Sequence, residues 1–270
     1  MRKITKNSGV IIIASFWILI ILSALALSIA YRASVGLKLM QYYKNQIDAG
    51  IITKEAIRKF IELSENGEYA YNNPGCFKDI EINNGIFSIV AQEKDEVSGE
   101  TIYGAEDEDG RININSPFIT KEMLLKLPHI TDDFAQDIIQ YRSELKKGLS
   151  RIKNIEELFL LPSFNIQSLS TILEFMTVYG GGRVNINSAK KEVLTALGID
   201  EMLADAIIAY RDNCPITDME EVGLRNGKDY MTTESKCYRL NISVKAGKIN
   251  KKTTVILEKG SYKIKYWNES

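Results

Sequence analysis

From Val10 to Ala30 the chain runs VIIIASFWILIILSALALSIA, with no charged side chain. As a helix this stretch spans roughly 30 Å, the hydrocarbon thickness of a bilayer. Past Ala30 the pattern turns from continuous to periodic. Val35, Leu37, Leu39, Met40, Tyr43, Ile47, Ile51, Ala56, Phe60 and Leu63 recur at roughly helical spacing, with polar residues between them. Asn66-Gly67 gives a stop signal, and no proline appears before Pro74. One helix from about residue 10 to about 65 is therefore predicted, roughly 80 Å long. Gly36 and Gly50 weaken it, each by about 1 kcal/mol relative to Ala.

Alternation replaces helical spacing in two other places. Asp79–Asn83 and Gly85–Gln92 flank Asn84-Gly85, a hairpin signal, and Ile102-Tyr103 extends the same sheet. Near the C-terminus, Cys237–Lys245, Thr253–Glu258 and Tyr262–Trp267 read as three short strands, with turns at Gly247 and Lys259-Gly260. Strands from both ends would join in one small antiparallel sheet on the long helix. The fold class is α+β, with a discontinuous domain of residues 31–105 and 231–270.

The region between them, 106–230, is helical and contains a duplication. Gly110-Arg111-Ile112-Asn113-Ile114-Asn115-Ser116 matches Gly182-Arg183-Val184-Asn185-Ile186-Asn187-Ser188. Each copy continues with Lys-Glu and a Leu-x-x-Leu step, and ends in Ala135…Tyr141-Arg142 or Ala204…Tyr210-Arg211. Each copy, 110–142 and 182–211, is predicted to be a helical hairpin capped by its Asn and Ser residues. A lone hairpin buries too little to be stable, so the copies are expected to pack together or on neighbouring segments.

Charge and composition exclude more than they assign. Acids and bases nearly balance, 35 against 34, so no electrostatic footprint of nucleic-acid binding is present. His129 is the single histidine, and no nucleophile-elbow, metalloprotease, phosphate-loop or dinucleotide motif occurs. No catalytic residue is assigned. Gly180-Gly181-Gly182 lacks the strand–turn–helix setting of a phosphate loop and reads as a flexible turn. Cys76, Cys214 and Cys237 form no C-x-x-C pair. A Cys214–Cys237 disulfide and buried apolar thiols remain two readings.

The N-terminus has three readings: an ordinary single-pass anchor, a secretory signal cut after Ala26 or Ala30, and a leader cut after Gly9. The unbroken helix past Ala30 favours the last. A short basic leader ending in Gly (residues 1–9, MRKITKNSG), an uncharged stretch and a continuing amphipathic helix resemble type IV pilin-like proteins. Most pilins carry Glu at the fifth mature position, which counted from Val10 is Ala14. The K-type minor pseudopilin of type II secretion, the general secretion pathway protein K family, typically lacks it. Asp107-Glu108-Asp109-Gly110-Arg111-Ile112-Asn113-Ile114-Asn115, Thr177-Val178-Tyr179-Gly180 and the Ser150–Pro162 segment also resemble that family.

The resemblance implies a leader cleaved between Gly9 and Val10 by prepilin peptidase, and a transmembrane segment at 10–30 in the inner membrane. It also implies two helix-hairpin-helix-like repeats in an all-α domain inserted into a pilin-like α/β domain. The expected role is a non-enzymatic one at the tip of a pseudopilus, with I- and J-type minor pseudopilins and the major pseudopilin as partners. The Arg/Lys bias of the leader predicts a cytoplasmic N-terminus and a periplasmic head. Some members bind calcium, which makes Asp107 and Asp109, with Asp218 and Glu220 as a weaker second pair, the candidate metal ligands. A solvated acidic loop is the competing reading of Glu106–Asp109.

Membrane-anchored DNA receptors with helix-hairpin-helix units are the alternative function. Against it, the turns Leu127-Pro128-His129-Ile130 and Leu197-Gly198-Ile199-Asp200 lack the second glycine of a phosphate-binding hairpin. Residues 106–144 hold nine acids against four bases, and 180–213 five against four, so no nucleic acid is expected.

Overall fold

The computed structural model describes residues 8–65, 73–92, 101–224 and 229–269. The first seven residues of the expected leader and the Asn66-Gly67 stop signal lie outside them. Helix α1 runs unbroken from Ser8 to Glu65, 58 residues, or about 87 Å at the rise of an α-helix. Its two halves behave differently. From Val10 to Tyr43 its large apolar side chains are exposed, while Ala49, Ile52, Ala56, Ile57 and Phe60 are buried. Among the described residues it is the one helix long and apolar enough to cross a membrane, and its most apolar stretch packs on nothing.

A short helix α2 (Pro74–Phe77) leads into β1 (Ile80–Ile82), β2 (Gly85–Gln92), β3 (Ile102–Tyr103) and β4 (Glu106–Asp107). The C-terminal strands are β9 (Cys237–Ala246), β10 (Ile249–Glu258) and β11 (Ile264–Glu269). Together they form one antiparallel sheet in the order β1-β2-β9-β10-β11, with β3 on β2 and β4 on β9. Alternation puts Phe87, Ile89, Leu240, Ile242, Val244, Val255 and Leu257 on the face that closes over α1, in one core with Phe60 and Phe77. The sheet that the sequence predicts is present, with β9 and β10 longer than expected, β1 shorter, and β11 shifted two residues toward the C-terminus. β10 starts at Ile249 because Asn250, Lys251 and Lys252, read as loop, pair with Lys245, Val244 and Ser243.

Gly85 is not a turn residue. The β1–β2 turn is Asn83-Asn84, with Asn83 left-handed at φ 52°. A Cβ on Gly85 would lie 2.6 Å from both Ile52 Cδ1 and the Lys245 carbonyl, so glycine here lets α1 approach the sheet.

Between β4 and β9 lies the helical insert. Its elements are β5 (Ile112–Asn113), α3 (Lys121–Leu125), α4 (Asp132–Lys147), α5 (Ser168–Phe175), β6 (Met176–Thr177), β7 (Val184–Asn185), α6 (Lys191–Ala196), α7 (Glu201–Arg211) and β8 (Met231–Thr232). They enclose a second core that includes Ile114, Leu124, Phe134, Ile138, Ile172, Leu194 and Ile207. Met231 also belongs to this core, although the sequence reading grouped it with the sheet domain. Met231 and Thr232 pair in parallel with Val184 and Asn185, which keeps them with the insert.

Candidate functional site

Each repeat is larger than a hairpin. In both copies a two-residue strand opens the unit and a parallel strand closes it: β5 on β6 in the first, β7 on β8 in the second. Between hairpin and closing strand each copy carries a 3₁₀ turn, Ile155–Leu160 or Met219–Val222, opened by a capping box. Asn154 and Glu157 form the first box, Asp218 and Glu221 the second. Tyr141 donates to Glu157 and Tyr210 to Glu221. The matching sequence signal is Ile152-x-Asn154-Ile155-Glu156-Glu157 against Ile216-x-Asp218-Met219-Glu220-Glu221.

The repeated polar residues fasten these parts. Asn115 donates to the Ile152 carbonyl at 2.9 Å and accepts from the Ile152 amide at 3.0 Å. Asn187 does the same to Ile216, at 2.9 Å both ways. Arg142 donates to the carbonyls of Ile114, Ser116 and Ile119, and Arg211 to those of Ile186 and Ala189. Both arginines thus clamp the chain entering their own hairpin.

The hairpin turns do hold left-handed residues, His129 at φ 57° and Gly198 at φ 96°. The helix starts beyond them are closed by Thr131 and Asp200, and their first turns carry Asp132, Asp133 and Glu201. Acids at this position complement the helix dipole and repel a phosphate.

The second constellation is the joint between insert and sheet. The chain leaves the sheet through Glu106–Asp109, with Glu106 and Asp107 half-buried and Glu108 and Asp109 buried. Glu108 is fully buried. Its carboxylate accepts from Arg111 at 2.7 Å, from Arg239 Nε and Nη2 at 2.7 and 2.8 Å, and from the Thr177 hydroxyl at 2.5 Å. Burial opposes its ionisation, but the guanidiniums of Arg111 and Arg239 outweigh burial and hold the carboxyl below its usual range. Glu106 pairs with the other side of Arg111. Two acids and two bases drawn from β4, the insert and β9 therefore balance inside one buried cluster.

Asp109 accepts from three backbone amides: Gly181 at 2.8 Å, Lys236 at 2.6 Å and Cys237 at 2.9 Å. Burial raises its pKa, the amides of Gly181 and Lys236 pull it back, and Asp107 adds to the rise. Asp107 accepts from Asn185, Ser188 and Ser235 on one oxygen and from the Asp109 amide on the other. The glycine run is the seat of this contact, not a flexible turn. Gly180 has φ 85°, and a Cβ there would lie 2.1 Å from Asp109 Oδ1. Burial also pushes the Cys237 thiol up to about 12, with Asp109 adding to the effect.

This geometry decides several candidate residues. The acidic run is neither a solvated loop nor an open ligand set, because its oxygens are occupied by protein donors. Asp218 and Glu220 stand apart from it, and Asp218 accepts from the Glu220 amide as a helix cap. Among the described residues no group of three or more His, Cys, Asp or Glu side chains could hold a metal ion. The donor set does not fit calcium. Cys76, Cys214 and Cys237 are all free thiols; Cys214 is exposed and Cys237 buried, so the disulfide reading is not realised. Gly9, Val10 and Ala14 lie on the first turns of α1, all exposed.

No family model matches the chain, and no curated protein matches it. A solved structure does. It is a chain of the crystal structure of the GspK-GspI-GspJ complex from the enterotoxigenic Escherichia coli type 2 secretion system. The TM-score is 0.57 at 11% identity, over 86% of this chain and 98% of that chain. This chain has that fold. The α+β architecture expected from the resemblance, a long helix under an antiparallel sheet, is the one observed; the insert is mainly helical but not all-α, because each repeat is closed by a parallel pair of two-residue strands.

Proposed function

We propose that this protein is the K-type minor pseudopilin of a type II secretion system, a non-enzymatic subunit at the tip of its pseudopilus. The observation that carries the reading is the division of α1. One continuous helix is bare and apolar where it would meet lipid or like helices, and packed against the head's own core from Ala49 onward. An anchor with no filament role has no reason to continue rigidly into its head domain. The fold shared with a chain of the GspK-GspI-GspJ complex supports the same reading and points to I- and J-type subunits as partners.

On this reading prepilin peptidase cuts between Gly9 and Val10, the N-terminus faces the cytoplasm and the head is periplasmic. Ala14 leaves the fifth mature position without the carboxylate that would help set register with a neighbouring helix. A subunit lacking it suits the end of a filament, and the broad insert would obstruct further stacking. The DNA-receptor alternative is not favoured, because Arg142 and Arg211 are spent on backbone carbonyls.

The mature N-terminus tests the leader. Mass spectrometry should find a chain beginning at methylated Val10; a start after Ala26 or Ala30 would refute the pilin-type anchor. Ala14→Glu tests position, since added charge should lower tip occupancy relative to wild type. Co-purification from membranes should recover the protein with I- and J-type subunits. Salt-sensitive retention on DNA without them would support the receptor instead.

A further inference from the structure

The back of the sheet, away from α1, is only partly covered by the insert. Arg239, Ile256 and Tyr266 form one row across β9, β10 and β11, and Thr254 and Asn268 lie in the next. Against this face the insert sets Glu156, Met176 and Tyr179, leaving an open notch of about 210 Å³. Small-molecule pockets are larger, roughly 300–1,000 Å³, so the space suits a single side chain.

The floor is apolar and the walls are aromatic. Met176, part of the insert's core, and Ile256 are each 1% exposed and close the bottom of the notch, while Leu173, 47% exposed, presents apolar surface inside it. The rings of Tyr179 and Tyr266 stand 5.9 Å apart at 51°. Charge is unbalanced at the mouth. Arg239 lines the notch, but both its donors on that edge go to Glu108, so its charge is spent. Glu156 accepts from the Tyr266 hydroxyl at 3.0 Å through one oxygen. Among the described residues no cation pairs with it. Lys265, next to Tyr266 in β11, is held by Glu258.

An apolar floor, two tyrosine faces and one uncompensated carboxylate are what a basic side chain requires. Its stem packs on Leu173 above Met176 and Ile256, its cation lies over the rings, and its head meets Glu156. A planar guanidinium satisfies all three better than an ammonium. We infer that this notch receives an arginine side chain from a second protein, seated between the sheet and the insert. The inference stands on the notch alone and does not need the pseudopilus reading.

The test uses the full chain in neutral detergent micelles, with methyl groups of methionine and isoleucine isotope-labelled for NMR. The probe is the tripeptide acetyl-Gly-Arg-Gly-amide, and its control carries citrulline, the neutral isostere, in place of arginine. Saturable shifts of the Met176 and Ile256 methyls are expected with the arginine peptide. They should be at least tenfold weaker with citrulline, and at least tenfold weaker in Glu156→Gln. Tyr266→Phe keeps ring and charge and should retain most of the binding, which guards against a general effect of substitution here. Absence of a shift in the wild-type chain, or equal binding of the citrulline peptide, overturns the inference. So does binding unaffected by Glu156→Gln.

Discussion

Glu108→Gln should be the most damaging single change at the joint. Glutamine keeps the volume but removes the charge that two guanidiniums share. The Glu108 side chain is 0% exposed, Arg111 10% and Arg239 20%. With Glu108 neutral, Glu106 alone faces both arginines, and one positive charge is left unbalanced where water barely reaches. Removing one member of a buried ion pair costs about 3–5 kcal/mol, chiefly because the survivor stays buried without compensation. Urea unfolding of the full chain in micelles, followed by near-ultraviolet circular dichroism, should show a loss near the lower end of that range. The pH dependence is a second signature. Because the folded carboxyl lies below its ordinary value of 4.5, its contribution is complete above that pH and is lost as pH falls through the folded value. The gap between wild type and variant should therefore narrow as the pH falls below 4.5. A loss under 1 kcal/mol at pH 7, or a gap that widens in acid, would refute the argument. Replacing the cluster together, Glu106→Gln and Glu108→Met with Arg111→Leu and Arg239→Met, should recover much of the loss, since apolar substitution of a whole buried network is often neutral.

Three further outcomes are expected. Asn115→Ala and Asn187→Ala should each cost about 1–3 kcal/mol in thermal melts, because each strands both polar groups of one backbone unit; the effects should add, as the bonds are in separate repeats. Gly180→Ala should lower the melting temperature well below that of Gly198→Ala. Both positions have positive φ, but only Gly180 would also drive a Cβ into Asp109, whereas nothing lies within 4 Å of Gly198; equal effects would show that the Asp109 seat yields freely. Calcium or a chelator should leave the melting temperature unchanged, since Asp107 and Asp109 already accept from protein donors; a rise growing with the logarithm of calcium concentration would reveal a site the donor geometry argues against.

What the sequence made legible was whatever depends on local period. The long helix follows from unbroken apolar spacing, the hairpins from duplicated Asn, Leu and Arg positions, and the terminal strands from alternation. The third part of each repeat escaped because a single 3₁₀ turn has no period; its signal is the paired Glu156-Glu157 and Glu220-Glu221 after a capping residue. The acidic run was misread for a different reason. Four consecutive acids look solvated unless their counter-charges are visible, and one of these, Arg239, is 131 residues away from Glu108. Gly180-Gly181-Gly182 was misread in the same way, since the Asp109 carboxylate that accepts from the Gly181 amide is 72 residues earlier in the chain.

The same distance explains why the acids stand where they do. The insert leaves the sheet after β4 and returns to it at β9, and Glu106 and Asp107 pair with Arg239 and Tyr238 at that return. A connection of two adjacent strands with no further contact would leave the insert free to swing on the sheet. Asp107 ties this crossing to the second repeat through Asn185 and Ser188, Glu108 ties it to the first through Thr177 and Arg111, and Asp109 ties it to both Gly181 and the returning chain. Three consecutive side chains thus fix three different bodies of structure to one point. Because α1 is packed into the sheet from Ala49, a load applied to the insert has a stiff route through this point to the helix. The carboxylates that the family resemblance suggested as metal ligands are better understood as the fastening of that route, with arginines and backbone amides in the place a cation would take.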